Sequence, residues 1–463
     1  MSFCDRAMML TFGTSTALLA FLAPTASARS AELVLIKQQV ATETFHFDST
    51  ALEGLRPGQP LPASFDAVGG RGLLLVARNS IEDAKHFVFE HPLHAARAAS
   101  LLLRDGRLTG TIAHLGESRT VFGSTRAGES TLRVEDATKD LPCGQGDVVQ
   151  PPLTSNGKGG RDSGHDEGSV AGVACDDGSR VDLLVAYTDA AIAQAGGETQ
   201  LQDSILWAVA DSNATYAASG ISLVARLVGT THVSGYVEDS ASMANDLYRL
   251  RDPADGTLDE VSALRDTLGA DLVALIRADG GGACGIAFLV SSSIDQQSYG
   301  VSVTALGCFP GKTFTHELGH NMGCCHAPGD GGGCNSGGVF PYSTGHRFFG
   351  TNDAQYRTVM AYAPGARIGR FSSPAVIFEG SPTGIADERD NVRSMNESRF
   401  IFTNFRCEVC FGDFDSSGEV NAADLASMLS NWGVGSKSAD LTGDGNTDAA
   451  DLAILLGNWG ACD

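Results

Sequence analysis

Basic side chains are scarce in this 463-residue chain: 32 Lys and Arg stand against 55 Asp and Glu, a net charge of -23 at pH 7. Such a surface repels nucleic acid and anionic membranes, which argues against a nucleic-acid enzyme and favours divalent-cation binding. Proline is scarce as well. Fifteen prolines against 56 glycines indicate many turns rather than a low-complexity polymer. Long apolar runs are missing after Ala28, so no membrane span is expected beyond that point. What is present suffices for real cores, with apolar residues at 43%. The length predicts about three domains.

The chain opens with Arg6, a mostly apolar stretch from Met8 to Ala23, and Ala26-Ser27-Ala28, a small-x-small cleavage pattern. This predicts a signal peptide over 1–28 and a secreted protein, extracellular or attached to the cell surface. Eleven cysteines fit an oxidising compartment, and loss of Cys4 leaves ten to pair or bind metal. Residues 29–145 alternate short apolar runs with turns, as at Gly72-Leu73-Leu74-Leu75-Val76-Ala77, and predict a β-rich module. Residues 146–180, rich in Gly, Ser, Asp and Pro, read as a linker. Gly159-Gly160-Arg161 and Gly178-Ser179-Arg180 offer basic processing sites there. From 181 to 406 strands alternate with helices: strands at Val181–Tyr187, Ile221–Val228 and Asp271–Ile276, helices over 201–218 and 247–268. That pattern predicts an α/β layer, with Tyr299–Leu306 as a further strand bordering a site.

The site is announced by Thr315-His316-Glu317-Leu318-Gly319-His320-Asn321-Met322-Gly323-Cys324-Cys325-His326, which fits H-E-x-x-H-x-x-G-x-x-H. His316 and His320, four residues apart, leave one helix face and take two corners of a tetrahedral zinc site. Gly323 tolerates the positive φ of a sharp turn, which delivers His326 as third ligand. The fourth corner stays open. Water there has its pKa lowered towards about 7, and Glu317 is placed to accept its proton and pass it to a leaving amine. A purely structural zinc site would close all four corners with His or Cys.

These residues, with Arg357-Thr358-Val359-Met360-Ala361-Tyr362, Cys284-Gly285-Ile286-Ala287 and Arg370-Phe371-Ser372-Ser373-Pro374, resemble the metzincin metallopeptidases. The resemblance covers about residues 180–406 and is nearest the reprolysin-like and peptidyl-Asp-metallopeptidase-like groups. It implies a zinc endopeptidase acting on proteins or peptides, with Met360 in a methionine turn beneath the metal. It also implies Tyr299–Leu306 as the edge strand that pairs with substrate. Tyr362, two residues after Met360, is either an oxyanion stabiliser or a core tyrosine. Ala327 departs from the aspartate that reprolysins carry after the third histidine.

Leu141-Pro142-Cys143-Gly144 resembles the cysteine switch of metallopeptidase propeptides, which implies a zymogen held latent by Cys143. A disulfide, for example to Cys175, is the alternative. Cleavage near Arg180 leaves an even set of eight cysteines, Cys284, Cys308, Cys324, Cys325, Cys334, Cys407, Cys410 and Cys462, in any of about 105 pairings.

Two acidic loops repeat at the C-terminus. Asp413, Asp415, Ser417, Asn421 and Asp424 recur as Asp440, Thr442, Asp444, Asp448 and Asp451, with Gly418 and Gly445 at the bend of each loop. Oxygen side chains at this spacing suit two Ca²⁺ sites. With aspartate in the last position and no entering helix, residues 407–463 resemble a dockerin type I module. That implies a cohesin-like protein partner, met through Ala422, Ala423, Ala449 and Ala450. The fold class expected is multidomain: a β-rich propeptide, an α/β metzincin catalytic domain and a small all-α calcium-binding domain. The alternative function is a catalytically silent metallopeptidase-like scaffold or binding protein.

Overall fold

This computed structural model describes residues 43–114, 118–136, 148–149, 176–240, 242–278, 280, 282–290, 294–331, 337–406, 412–415, 417, 419–434, 439, 441 and 446–461. The expected signal peptide, Cys143, Cys175, Gly159–Arg161, Asp440, Thr442 and Asp444 lie outside them.

The first sheet comprises β1 (Glu43–His46), β2 (Leu74–Ile81), β3 (Ala84–His91), β4 (His94–Arg104), β5 (Arg107–His114), β6 (Ser118–Arg126) and β7 (Glu129–Asp136). Their order is β1-β7-β6-β5-β4-β3-β2, antiparallel throughout. The period of two sorts their side chains. Phe87, Phe89, Leu101, Leu103 and Phe122 join Phe47 and Phe65 in one core, which helix α1 (Ser49–Glu53) helps to close through Leu52. The alternate residues Ala84, His86, Ser100 and Leu102 belong to the opposite face. His86 is fully buried there, its Nε2 2.8 Å from Ser100 Oγ, and burial pushes its pKa down to about 4.

The second sheet follows the order β10-β9-β11-β13-β12-β8, with β8 Val148–Val149, β9 Arg180–Thr188, β10 Val224–Val233, β11 Leu272–Arg277, β12 Gly285–Phe288 and β13 Val301–Ala305. Strands β10, β9, β11 and β13 run parallel, and β12 is antiparallel to β13. Parallel strands covered on both faces read as near-continuous apolar runs, as β9 does in Leu183–Tyr187. Connecting helices are α2 (Asp189–Ala195), α3 (Glu198–Ser219), α4 (Met243–Arg251) and α5 (Asp259–Leu268). The single helix expected over 247–268 is therefore two. Pro253 lacks an amide hydrogen and disfavours helical backbone in the residue before it, which stops α4 at Arg251.

Two other expectations are corrected. Val301–Ala305 is an interior strand, flanked by β11 and β12, so the outer strand beside the site is Gly285–Phe288. Within the expected linker, Val148–Val149 pairs in parallel with Ala287–Phe288 and so occupies that outer edge. Gly178-Ser179-Arg180 is not a loose processing site either. Asp176 and Asn404 exchange hydrogen bonds of 3.0 and 3.2 Å, and Arg180 already begins β9.

Helix α6 (Thr313–Asn321) follows β13, and α7 (Asn391–Phe402) packs later in the same core through Met395 and Phe402. At the C-terminus, α8 (Ala422–Ser430) and α9 (Ala449–Gly457) each begin with a capping box, at Asn421 and Asp448. Short antiparallel pairings, Glu419–Val420 with Gly460–Ala461 and Gly433–Val434 with Asn446–Thr447, accompany the helices, so this part is not purely α. No helix among the described residues is long and apolar enough to cross a membrane.

Candidate metal and catalytic centre

Helix α6 is fixed at both ends before any metal is considered. Lys312, in a left-handed conformation (φ +60°), starts it and pairs with Asp211 of α3 at 2.7 Å. Thr315 Oγ1 lies 2.8 Å from Ser212 Oγ of the same helix. At the other end Asn321 Nδ2 donates to the carbonyls of Phe288 and Val301, both at 3.0 Å, which ties α6 to β12 and β13. Gly319 lets the helix settle on Met360, since a Cβ there would stand 2.6 Å from the Met360 sulfur. Gly323, at φ +80°, makes the turn that brings His326 back. A side chain on Gly323 would also meet Val339 Cγ2 at 2.0 Å.

The three histidines are buried and their Nε2 atoms stand 3.0, 3.1 and 3.2 Å apart. Each Nδ1 faces a carbonyl oxygen: Val359 at 2.8 Å for His316, Cys324 at 2.7 Å for His320, and Gly331 at 3.4 Å for His326. A carbonyl only accepts, so each Nδ1 carries the proton and each Nε2 turns a lone pair inward. Three lone pairs converging at this spacing repel unless they share a cation. Zinc with nitrogens at about 2.0–2.1 Å in tetrahedral geometry would space them by roughly 3.3 Å, so the donor set fits that ion.

Glu317 follows the first histidine on the same buried helix, with no exposed surface. Gly285 of β12 makes room for its side chain: a Cβ on Gly285 would sit 2.3 Å from Oε1 and 2.7 Å from Cγ and Cδ. The Cys284–Cys308 disulfide ties the start of β12 to the turn preceding α6. Beneath the histidines Met360 is fully buried. Arg357 holds the chain there through Ala361 O at 3.0 Å and Gly365 O at 2.8 Å. The Tyr362 ring centroid lies 4.3 Å from that of His326, and its amide donates to Asp330 at 2.9 Å. Asp330 is also paired with Arg347, which reaches Tyr362 O at 3.2 Å. The structure thus brings together His316, Glu317, His320, His326, Met360 and Tyr362. Sequence reasoning gave no role to Gly285, Asp330 or Arg347. A glycine opening an apolar strand is the available signal for the first; the other two carry none.

Cysteine pairing also departs from expectation. Cys325 is disulfide-bonded, but its neighbour Cys324 is a buried free thiol whose pKa burial pushes well up. The eight cysteines therefore do not all pair. Cys324 has the environment of an inert core residue.

In the C-terminal part Asp413, Asp415 and Asp424 bring carboxylate oxygens within 4.8 Å of one another. The Ser417 amide donates to Asp413 at 2.9 Å. Asp424, fully buried, accepts from the amides of Phe414 and Asn421, and Asp451 accepts in the same way from Leu441 and Asp448. Asn421 and Asp448 cap their helices through the amides of Ala423 and Ala450. Ala422, Ala423, Ala449 and Ala450 are exposed.

Residues 177–372 match the family described as metallo-peptidase family M12, and residues 411–457 match the dockerin type I domain. A peptidyl-Asp metalloendopeptidase of Stenotrophomonas maltophilia (strain R551-3) is 31% identical over 228 residues, 48% of this chain and 52% of that protein. One from Xanthomonas campestris pv. campestris is 29% identical over 246 residues, 52% of this chain and 55% of that protein. The chain thus spans about half the length of the curated relatives it matches. Among solved structures, metalloproteinase-II from Bacteroides fragilis aligns with a TM-score of 0.34 at 13% identity, over 55% of this chain and 78% of that one.

Proposed function

We propose that this chain, in which a metallopeptidase domain of family M12 precedes a dockerin type I domain, is a secreted zinc endopeptidase made as a zymogen. The observation that carries the reading is the convergence of three Nε2 atoms within 3.0–3.2 Å of one another beside a buried glutamate. His316, His320 and His326 hold the metal. Zinc, when bound, supplies the Lewis acidity that brings a water pKa to about 7. Glu317 takes the proton of the attacking water and returns it to the leaving amine. Tyr362, against His326, is placed to donate to the oxygen that gains charge. Met360 keeps the floor apolar, and Gly323 sets the turn.

Extended substrate adds to the outer strand Gly285–Phe288, whose backbone supplies the pairing. In this structure Val148–Val149 takes that edge, which supports latency: the segment just after Cys143 must leave before substrate pairs. We read 1–28 as signal peptide, 29–145 as propeptide, 146–180 as linker, 181–406 as catalytic domain and 407–463 as the dockerin part. Asp413, Asp415, Ser417, Asn421 and Asp424 hold one Ca²⁺, and Asp440, Thr442, Asp444, Asp448 and Asp451 a second. The exposed pairs Leu429–Leu456 and Trp432–Trp459, each 27 residues apart, support a protein partner on that surface. The relatives' name makes bonds next to aspartate the first substrates to try.

The test is a peptide-library digest by the processed protein. Cleavage is expected to stop on chelation and to return with zinc. Full activity in excess chelator would refute the metal mechanism, and no cleavage under any metal would favour the silent scaffold.

A further inference from the structure

We infer that the N-terminal sheet is a lasting partner of the catalytic α/β layer, remaining bound to it after the linker is cut. The inference concerns assembly; it rests on the zymogen reading for the cutting of the linker and is independent of the peptidase chemistry. It starts from α3. Ile205, Leu206, Trp207, Ala208, Val209, Ala210, Asp211 and Ser212 are consecutive and all buried, more than two full turns. A helix buried all round needs partners on every side. One side packs on the parallel sheet, through neighbours such as Val185, Leu223 and Ala225. The other is covered by the N-terminal sheet, whose Ala84 and Leu102 share a core with Ile205 and Trp207.

The polar contacts across this junction are those of an interior. Asp203, whose side chain is 2% exposed, receives Arg107 in a two-pronged pair at 2.7 and 3.1 Å. Ser124 and Arg104 complete its surroundings. The Trp207 indole donates to Ser100 O at 3.1 Å, and Gln200 donates to Thr125 O at 3.2 Å. A second patch lies further along. The Ala96 amide donates to Glu379 at 2.9 Å, Arg370 pairs with Glu90 at 2.9 Å, and Ala96 packs with Phe348, Tyr356 and Phe378.

Release of the sheet would leave Asp203 without Arg107 and give Trp207 to water. It would equally uncover His86, whose ring is held neutral by burial with Asp211 and Lys312 as its charged neighbours. Breaking a buried charge pair while solvating an apolar helix face is costly on both counts. None of these contacts involves the three histidines, Glu317 or Gly285–Phe288. The sheet therefore braces α3, which in turn holds α6 through Ser212 and Asp211, and leaves the cleft to other residues. Latency and structural support are thus assigned to different parts of the N-terminal region.

The test uses the full chain carrying Glu317→Ala, to prevent self-digestion, and Cys143→Ser, so that no disulfide joins the halves. A specific protease site replaces Lys158–Arg161. After complete cutting, the two fragments are expected to co-elute at micromolar concentration and to unfold in one thermal transition. Paired replacement of Arg104 and Arg107 by Ala, checked for an unchanged fold by circular dichroism before cutting, is expected to weaken association by about tenfold or more. Separate elution of two folded fragments would overturn the inference, as would two independent transitions. Association indifferent to the arginine replacements would overturn it too.

Discussion

Replacing Glu317 with alanine is expected to lower kcat/KM for peptide cleavage by about a thousandfold, the range for loss of a positioned general base. That factor corresponds to about 4 kcal/mol of transition-state stabilisation. Zinc content is expected to stay at that of the parent protein, because the three Nε2 atoms and their Nδ1 anchors at Val359, Cys324 and Gly331 are untouched. The measurement pairs steady-state kinetics with metal analysis of the same sample. Loss of both activity and zinc would assign Glu317 to metal retention instead of proton transfer.

The second large effect is expected from a residue that never meets substrate chemistry through its own side chain. Gly285→Ala places a methyl group where the Glu317 side chain lies, 2.3 Å from Oε1 and 2.7 Å from Cδ. Atoms at these separations overlap deeply, and the flexible carboxylate yields before the strand backbone does. A shift on the order of 1 Å in a catalytic group costs about a hundredfold. We expect a loss of that size in kcat with zinc and fold retained. A double-mutant cycle makes the cause visible: Gly285→Ala added to Glu317→Ala should cost almost nothing further, since both act through one carboxylate. Additive losses would place the effect of Gly285 elsewhere, in substrate pairing along β12 for instance.

What was legible in the sequence is what depends on local spacing. The turn between His316 and His320 and the bend at Gly323 are properties of neighbouring residues, and the structure keeps both; of the 27-residue repeat, the described residues show Asp424 and Asp451 each accepting from a backbone amide ten residues earlier. The order of strands is not local. Gly285–Phe288 and Val301–Ala305 are both buried along their whole length, so burial does not tell which is the outer one. Long-range pairing decides it, and reading Tyr299–Leu306 as the edge was an error of that kind. The brace of Asp330 and Arg347 around Tyr362 joins a loop to the start of the short strand Arg347–Phe349, 17 residues on, in a region without periodicity. For α3 the sequence carries two signals. The spacing of Leu, Ile, Val and Ala gave a helix, whereas the lack of any polar face pointed to a second partner, which the N-terminal sheet supplies. Cys324 resisted counting because parity cannot distinguish a buried thiol from a bonded one.

X-ray absorption at the zinc edge of the processed, zinc-loaded protein addresses the central claim most directly. The account predicts one zinc per chain, bound by three imidazole nitrogens at about 2.0–2.1 Å with an oxygen in the remaining position. A sulfur in the first shell of the processed protein, fewer than three imidazoles, or no stoichiometric zinc would contradict it.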